Sequence, residues 1–202
     1  MWLRKPGRER KASLAALGAV IAVGAALALA GCGADYVEGD TASVLLLIDN
    51  IAEGTPQLSD VRGTGGAIVN CQIPVELVAT PKNPNSPVGP SENVRINRYR
   101  VSYRRSDGRA VEGIDVPYTI SGDTTATVTA GTGSASVAID LVRHQAKLEP
   151  PLSNITGLQV VTMFADVTIF GQTISGKNVS ASGSAQVTFA DYADGTETCE
   201  GS

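Results

Sequence analysis

Between residues 179 and 190 apolar and polar positions alternate without a break. Val179, Ala181, Gly183, Ala185, Val187 and Phe189 share one parity, and Ser180, Ser182, Ser184, Gln186 and Thr188 the other. A period of two marks a strand with one buried and one solvated face. Residues 158–170 form a second strand, joined to the first by the polar, glycine-containing turn 171–177. Near the start of the apolar pattern, residues 42–49 (ASVLLLID) are almost continuously apolar, as a short buried strand would be. Residues 71–79 (CQIPVELVA) alternate, with Ile73, Val75 and Leu77 on one face, and Pro74 points this strand toward an edge or a strand start. Residues 81–90 (PKNPNSPVGP) cannot continue a sheet and are expected to be loop.

Residues 93–105 (NVRINRYRVSYRR) alternate with a slip. Val94 and Ile96 have one parity, Tyr99, Val101 and Tyr103 the other. One extra residue near Asn97 would return both sets to the same face, so a β-bulge is predicted there. Ser106-Asp107-Gly108 is a turn, with Gly supplying a positive φ. A short strand is expected at 116–121. Segments 126–129 and 135–143 flank Gly131-Thr132-Gly133 as a hairpin or one interrupted strand, and 148–154 (LEPPLSN) is loop. About seven strands and no convincing helix follow residue 41. Each strand has one apolar face to bury, so the economical solution is an all-β fold, a single two-sheet antiparallel sandwich.

The first 31 residues have a different character. Arg4, Lys5, Arg8, Arg10 and Lys11 stand against a single acid, Glu9, and residues 12–30 are uncharged and mostly Ala, Leu, Val and Ile. The run ends in Leu29-Ala30-Gly31-Cys32. The arrangement resembles a bacterial lipoprotein signal peptide with its lipobox, all four positions of which match. The resemblance implies cleavage between Gly31 and Cys32 and lipidation of Cys32. Two or three acyl chains would hold the protein stably at a membrane, which one chain does not. An uncleaved span is the alternative, although the run is rich in Ala and Gly. The expected organisation is signal peptide 1–31, lipidated Cys and tether 32–40, and one sandwich domain 41–202. The tether reaches at most about 28 Å. Gly33, rather than Asp, follows the lipidated position, which in double-membrane relatives favours the outer membrane.

Removal of residues 1–31 leaves 11 basic and 19 acidic residues, a formal charge of −8. A moderately acidic anchored domain is a poor candidate for nucleic acid or for an anionic lipid surface. With Cys32 lipidated, Cys71 and Cys199 remain, and an even pair in an exported chain is expected to form a disulfide. The alternative is two unpaired thiols. If strands alternate in direction, the start of the second and the end of the seventh share a pole, which would bring these cysteines together. One additional strand would break that parity.

Candidate chemistry is sparse. His144 is the only histidine, no Gly-x-Ser-x-Gly is present and no Cys-x-x-Cys spacing exists. Hydrolysis would have to rely on carboxylates alone, so no catalytic residue and no cofactor is assigned. Arg98, Arg100 and Arg104 share the outward face of the predicted strand and are a candidate ligand patch, with pairing to neighbouring acids as the bland alternative. Asp191 and Asp194, followed by Glu197, are weak calcium candidates at the C-terminal end, without EF-hand spacing. Asn154-Ile-Thr156 and Asn178-Val-Ser180 match glycosylation sequons, by chance in a bacterial lipoprotein.

The closing segment FADVTIFGQTISGKNVSASGSAQVTFAD is similar to the last hairpin of bacterial immunoglobulin-like domains. This resemblance implies an immunoglobulin-like architecture, though Trp2 lies in the signal and the Cys…Trp…Cys spacing is missing. The expected function is that of a lipid-anchored, non-enzymatic cell-envelope module for structure or protein interaction. The membrane would be engaged through Cys32, and an unidentified envelope protein at an edge strand or the 81–90 loop. A glycan- or calcium-binding envelope module is the alternative, and a carboxylate-based hydrolase the remote third. A solute-binding receptor would need a second lobe.

Overall fold

The computed structural model describes residues 42–62 and 70–192. The expected signal segment and tether, Cys32, Asp194 and Cys199 lie outside them. Among the described residues eight strands form two packed sheets. β1 (Val44–Ile51), β3 (Cys71–Pro81) and β6 (Ser134–Val142) make the smaller sheet in the order β1-β3-β6. β2 (Gln57–Asp60), β4 (Val94–Arg105), β5 (Ile120–Val128), β7 (Val160–Thr173) and β8 (Asn178–Ala190) make the larger, in the order β2-β8-β7-β4-β5. The all-β sandwich expected from the alternation is therefore the fold. Its core lies between the sheets: Val75, Leu77, Ile139 and Leu141 face Ile96, Val101, Val167, Ile169, Val187 and Phe189, all fully or almost fully buried.

The strand missed by sequence pattern is β2, and its direction is informative. β1 is antiparallel to β3, whereas β2 is parallel to β8. β1 and β2 thus run the same way, as two halves of one path that leaves one sheet and joins the other. Such corners are where sandwich strands change sheets. The corner is Ala52-Glu53-Gly54, with φ of 51°, 55° and 72°. Ala and Glu in the left-handed region cost of order 1 kcal/mol each or more. Opposing hydrogen bonds run to the Ala52 carbonyl from the Thr55 backbone N–H (3.0 Å) and the Thr55 hydroxyl (2.8 Å). Because the additional strand does not reverse direction, the start of β3 and the end of β8 still share a pole. Cys71 lies opposite Val142, Tyr103 reaches Leu141 across the sandwich, Tyr103 lies opposite Ala165, and Ala165 opposite Ala185.

The corner also accounts for Pro74. β3 is the central strand of its sheet, not an edge. Yet β1 ends at Ile51, opposite Val75, so at Pro74 the strand keeps β6 alone as neighbour. A residue without an N–H is tolerated at such a local edge. β1 itself is less buried than its apolar run suggested. Val44 and Leu46 point inward, while Leu45 and Leu47 are 46% and 44% exposed on the outer face.

Other expectations are corrected by the topology. Residues 116–119 are not strand; Val116 is buried in a loop through an isolated bridge to Glu112, and β5 begins at Ile120. Residues 126–129 and 135–143 are neither a hairpin nor one strand, because β5 and β6 belong to different sheets. A five-residue helix, α1 (His144–Leu148), occupies the stretch after β6. In it Lys147 is 1% exposed, one of the largest fully buried side chains among the described residues.

Two tyrosines of β4 tie the sheets together. The Tyr103 hydroxyl donates to the Leu141 carbonyl at 2.7 Å, and the Tyr99 hydroxyl accepts from the Asp140 N–H at 3.2 Å. Gly122 makes room for Tyr99, since a Cβ there would lie 2.4 Å from the ring. Burial pushes the Tyr103 phenol above its ordinary range. A raised folded-state value means stability that is complete below the ordinary tyrosine pKa of about 10 and is lost as pH rises beyond it. Tyr103→Phe should lower the unfolding free energy by about 1–2 kcal/mol, because the Leu141 carbonyl is left buried and unpaired. Denaturant titration checks this, and an unchanged midpoint would assign the tie no weight. The variant should also lose part of the wild type's destabilisation above pH 10.

Candidate functional site

The register of β4 shifts between Ile96 and Arg98, the bulge that the slip at Asn97 predicts. Upstream of it Val94 and Ile96 are buried; downstream Tyr99, Val101 and Tyr103 are buried. Arg98, Arg100, Ser102 and Arg104 therefore face outward. β7 and β8 alternate in phase. In successive rows across the sheet Arg98 meets Phe170 and Ser180, Arg100 meets Thr168 and Ser182, Ser102 meets Asp166 and Ser184, and Arg104 meets Phe164 and Gln186. The outer face thus consists of an arginine column, a mixed central column and a column of hydroxyls and amides.

The three arginines have different surroundings. The Arg98 guanidinium lies over the Phe170 ring at 4.5 Å, and that of Arg104 over Phe164 at 4.6 Å. Exposed stacks of this kind contribute about 0.5–1 kcal/mol and hold the planar group in one orientation. Arg104 also donates through Nε to Asp166 Oδ2 at 3.0 Å, with both side chains close to half exposed (45% and 43%). It is therefore the pairing alternative realised, in water, where such a bridge is weak. Arg98 lies opposite Asp123 of β5 in register but forms no ion pair with it among the described residues. Arg100 makes no ion pair among the described residues either. Its field reaches Glu112, whose carboxyl is held below the usual range first by hydrogen bonds from Thr119 and last by Arg100.

Beside the bulge an open hollow of about 500 Å³ is lined by Asn97, Arg98, Asp123, Phe170, Gly171, Asn178 and Val179. It offers two side-chain amides, a carboxylate and a stacked guanidinium. Donors and acceptors of that kind recognise a polar ligand. Gly171 is needed there, because a Cβ would lie 2.9 Å from the Arg95 carbonyl of the adjacent strand. The 81–90 loop, the other expected contact region, lines a second open hollow of about 380 Å³ with Ser43, Ser91 and Glu92.

The remaining candidates stand apart from this face. His144 is exposed as the first residue of α1, its backbone N–H donating to Asn70 Oδ1 at 2.7 Å. Asp191 is exposed just after β8, and Asp194 lies outside the described residues. Among the described residues no three His, Cys, Asp or Glu side chains are grouped to hold a metal, and no helix is long and apolar enough to cross a membrane. Cys71 is wholly buried at the start of β3; its expected partner Cys199 lies outside the described residues. Sequence reasoning missed Phe164, Phe170, Asn97 and Asn178. Two phenylalanines on the outward parity of β7 were the available signal.

No family model and no curated protein matches the chain. Among solved structures, a solution structure assigned to a late embryogenesis abundant (LEA) protein is similar over 93% of this chain and 95% of that one. Its identity is 10% and its TM-score 0.41, and nothing of that protein's role is carried to this chain.

The Arg98–Phe170 stack can be weighed directly. A double-mutant cycle of Arg98→Ala and Phe170→Ala should return a coupling of about 0.5–1 kcal/mol in denaturant unfolding. A coupling of zero would mean that Phe170 does not orient Arg98.

Proposed function

We propose that this protein is a lipid-anchored, non-enzymatic binding module of the bacterial cell envelope. Its anchor would be Cys32 and its binding surface the outer face of the five-stranded sheet. Leu29-Ala30-Gly31-Cys32 after a basic segment and an uncharged apolar run is the observation that carries the anchor. The arginine face supports the binding role: its polar groups are fixed by stacking and strand register, and the one imidazole of the chain lies elsewhere. In this reading Cys71 and Cys199 form a disulfide that fastens the C-terminal segment to the domain, closing a loop of about 128 residues.

β1 starts opposite Pro81, at the pole that also holds the β7–β8 turn. In this reading a chain anchored at Cys32 would enter the domain at that pole, away from the start of β3 and the end of β8.

Metabolic labelling with palmitate tests the anchor. The wild-type protein should incorporate label and sediment with membranes, and Cys32→Ala should be unlabelled and retain its signal peptide. An unlabelled wild-type protein in the soluble fraction would remove the anchor from the proposal. Peptide mapping without reduction should recover Cys71 joined to Cys199. Recovery of both as free thiols would end the disulfide assignment.

A further inference from the structure

We infer that the arginine face is a binding site for a polyanionic glycan, whose carboxylate or phosphate groups are received by Arg98 and Arg100. The inference rests on the envelope reading above and names the ligand class of that same face.

Charge is the first ground. The chain after residue 31 carries 19 acids against 11 bases, yet the outward positions of β4, β5, β7 and β8 hold Arg95, Arg98, Arg100 and Arg104 against only Asp123 and Asp166. An acidic chain thus carries an excess of arginine on one sheet face, which concentrates anions there. Arg104 is already engaged by Asp166 and Arg95 lies on the other side of the bulge, so beside the hydroxyl column the charge available to a ligand is that of Arg98 and Arg100. They are two residues apart on one strand, about 7 Å along its axis.

The neighbouring groups select the rest of the ligand. Next to the arginines stand Thr168 and Ser182, whose hydroxyls are 3.1 Å apart, with Ser180 and Ser184 beside them. Short hydroxyl side chains lose little rotamer freedom on binding, and they pair with the many hydroxyls of a sugar. At the end of this column the 500 Å³ hollow presents Asn97 and Asn178, amides able to donate and accept at once. A protein partner would want an exposed apolar anchor at the centre of the patch. Here the large apolar rings, Phe164 and Phe170, have guanidinium groups stacked on them. The guanidinium fork suits the two oxygens of a carboxylate or phosphate, and stacking already restrains Arg98.

The experiment uses the full mature protein in detergent and three probe polymers: polygalacturonate, poly(glycerol phosphate) and neutral dextran, each titrated at low and physiological salt. Binding to at least one anionic polymer should exceed binding to dextran by tenfold or more and weaken with salt. The preferred anionic polymer identifies the anion as carboxylate or phosphate. Arg98→Ala with Arg100→Ala should reduce that affinity at least tenfold, and Arg109→Ala, in the loop after β4, should leave it unchanged. If the double variant melts early, Arg100→Ala alone carries the test, because Arg100 has neither a stack nor an ion pair among the described residues. Equal affinity for dextran, no binding to either anionic polymer, or full affinity in folded arginine variants would overturn the inference. Palmitate labelling without polymer binding leaves the envelope reading intact and removes this one; polymer binding by an unlabelled protein does the reverse.

Discussion

At Asn97 one additional residue enters β4, and both faces of the larger sheet depend on it. A strand has only two sides, so a shift by one residue exchanges them. Without the bulge, either Val94 and Ile96 or Tyr99, Val101 and Tyr103 would turn to solvent, and arginines would turn inward. With it, five apolar or aromatic side chains join the core and every arginine of the strand beyond the bulge except the terminal Arg105 stands clear of it. The inward tyrosines then reach the smaller sheet through their hydroxyls, and two of the outward arginines, Arg98 and Arg104, settle over the phenylalanines of β7. The tie between the sheets and the composition of the candidate site are thus two results of a single insertion.

The sequence made some of this legible because apolar and polar positions contrast sharply. β8 alternates Ala, Val and Phe with Ser and Thr, and β4 alternates Val, Ile and Tyr with Arg, so faces and bulge could be read directly. β5 has no such contrast. Between Ile120 and the fully buried Val128 its inward positions are Gly122, Thr124 and Ala126, only half-buried at the sheet edge, and its outward positions include Thr125 and Thr127. The apolar signal was instead displaced onto Val116, which is buried in a loop. β2 has four residues, QLSD, and is held by its pairing with β8 rather than by a pattern of its own. A strand defined by its partner leaves no periodicity to find.

The candidate face was half legible for a related reason. Parity alone placed Arg98, Arg100 and Arg104 outward together. What distinguishes them is lateral: Phe170 beside one, Thr168 beside the next, Phe164 and Asp166 about the third. Those neighbours are set by the register between β4 and β7, strands separated by more than fifty residues of chain. Net charge misled in the same manner. A value of −8 describes the chain after residue 31 as a whole, whereas a ligand meets one face, and on this face arginines outnumber acids.

The path that begins in the smaller sheet and ends in the larger also has a mechanical meaning. β1 enters at one pole and is paired with β3 along its length before the chain turns at Ala52–Gly54 and lies beside β8. A pull on the N-terminal end, directed along the strands, loads the hydrogen bonds of the β1–β3 ladder together, in shear, instead of opening them one after another. Should that ladder slip, the corner transfers the load to β2, already clasped to the other sheet. The first two strands thus resist such a pull in two stages, one in each sheet.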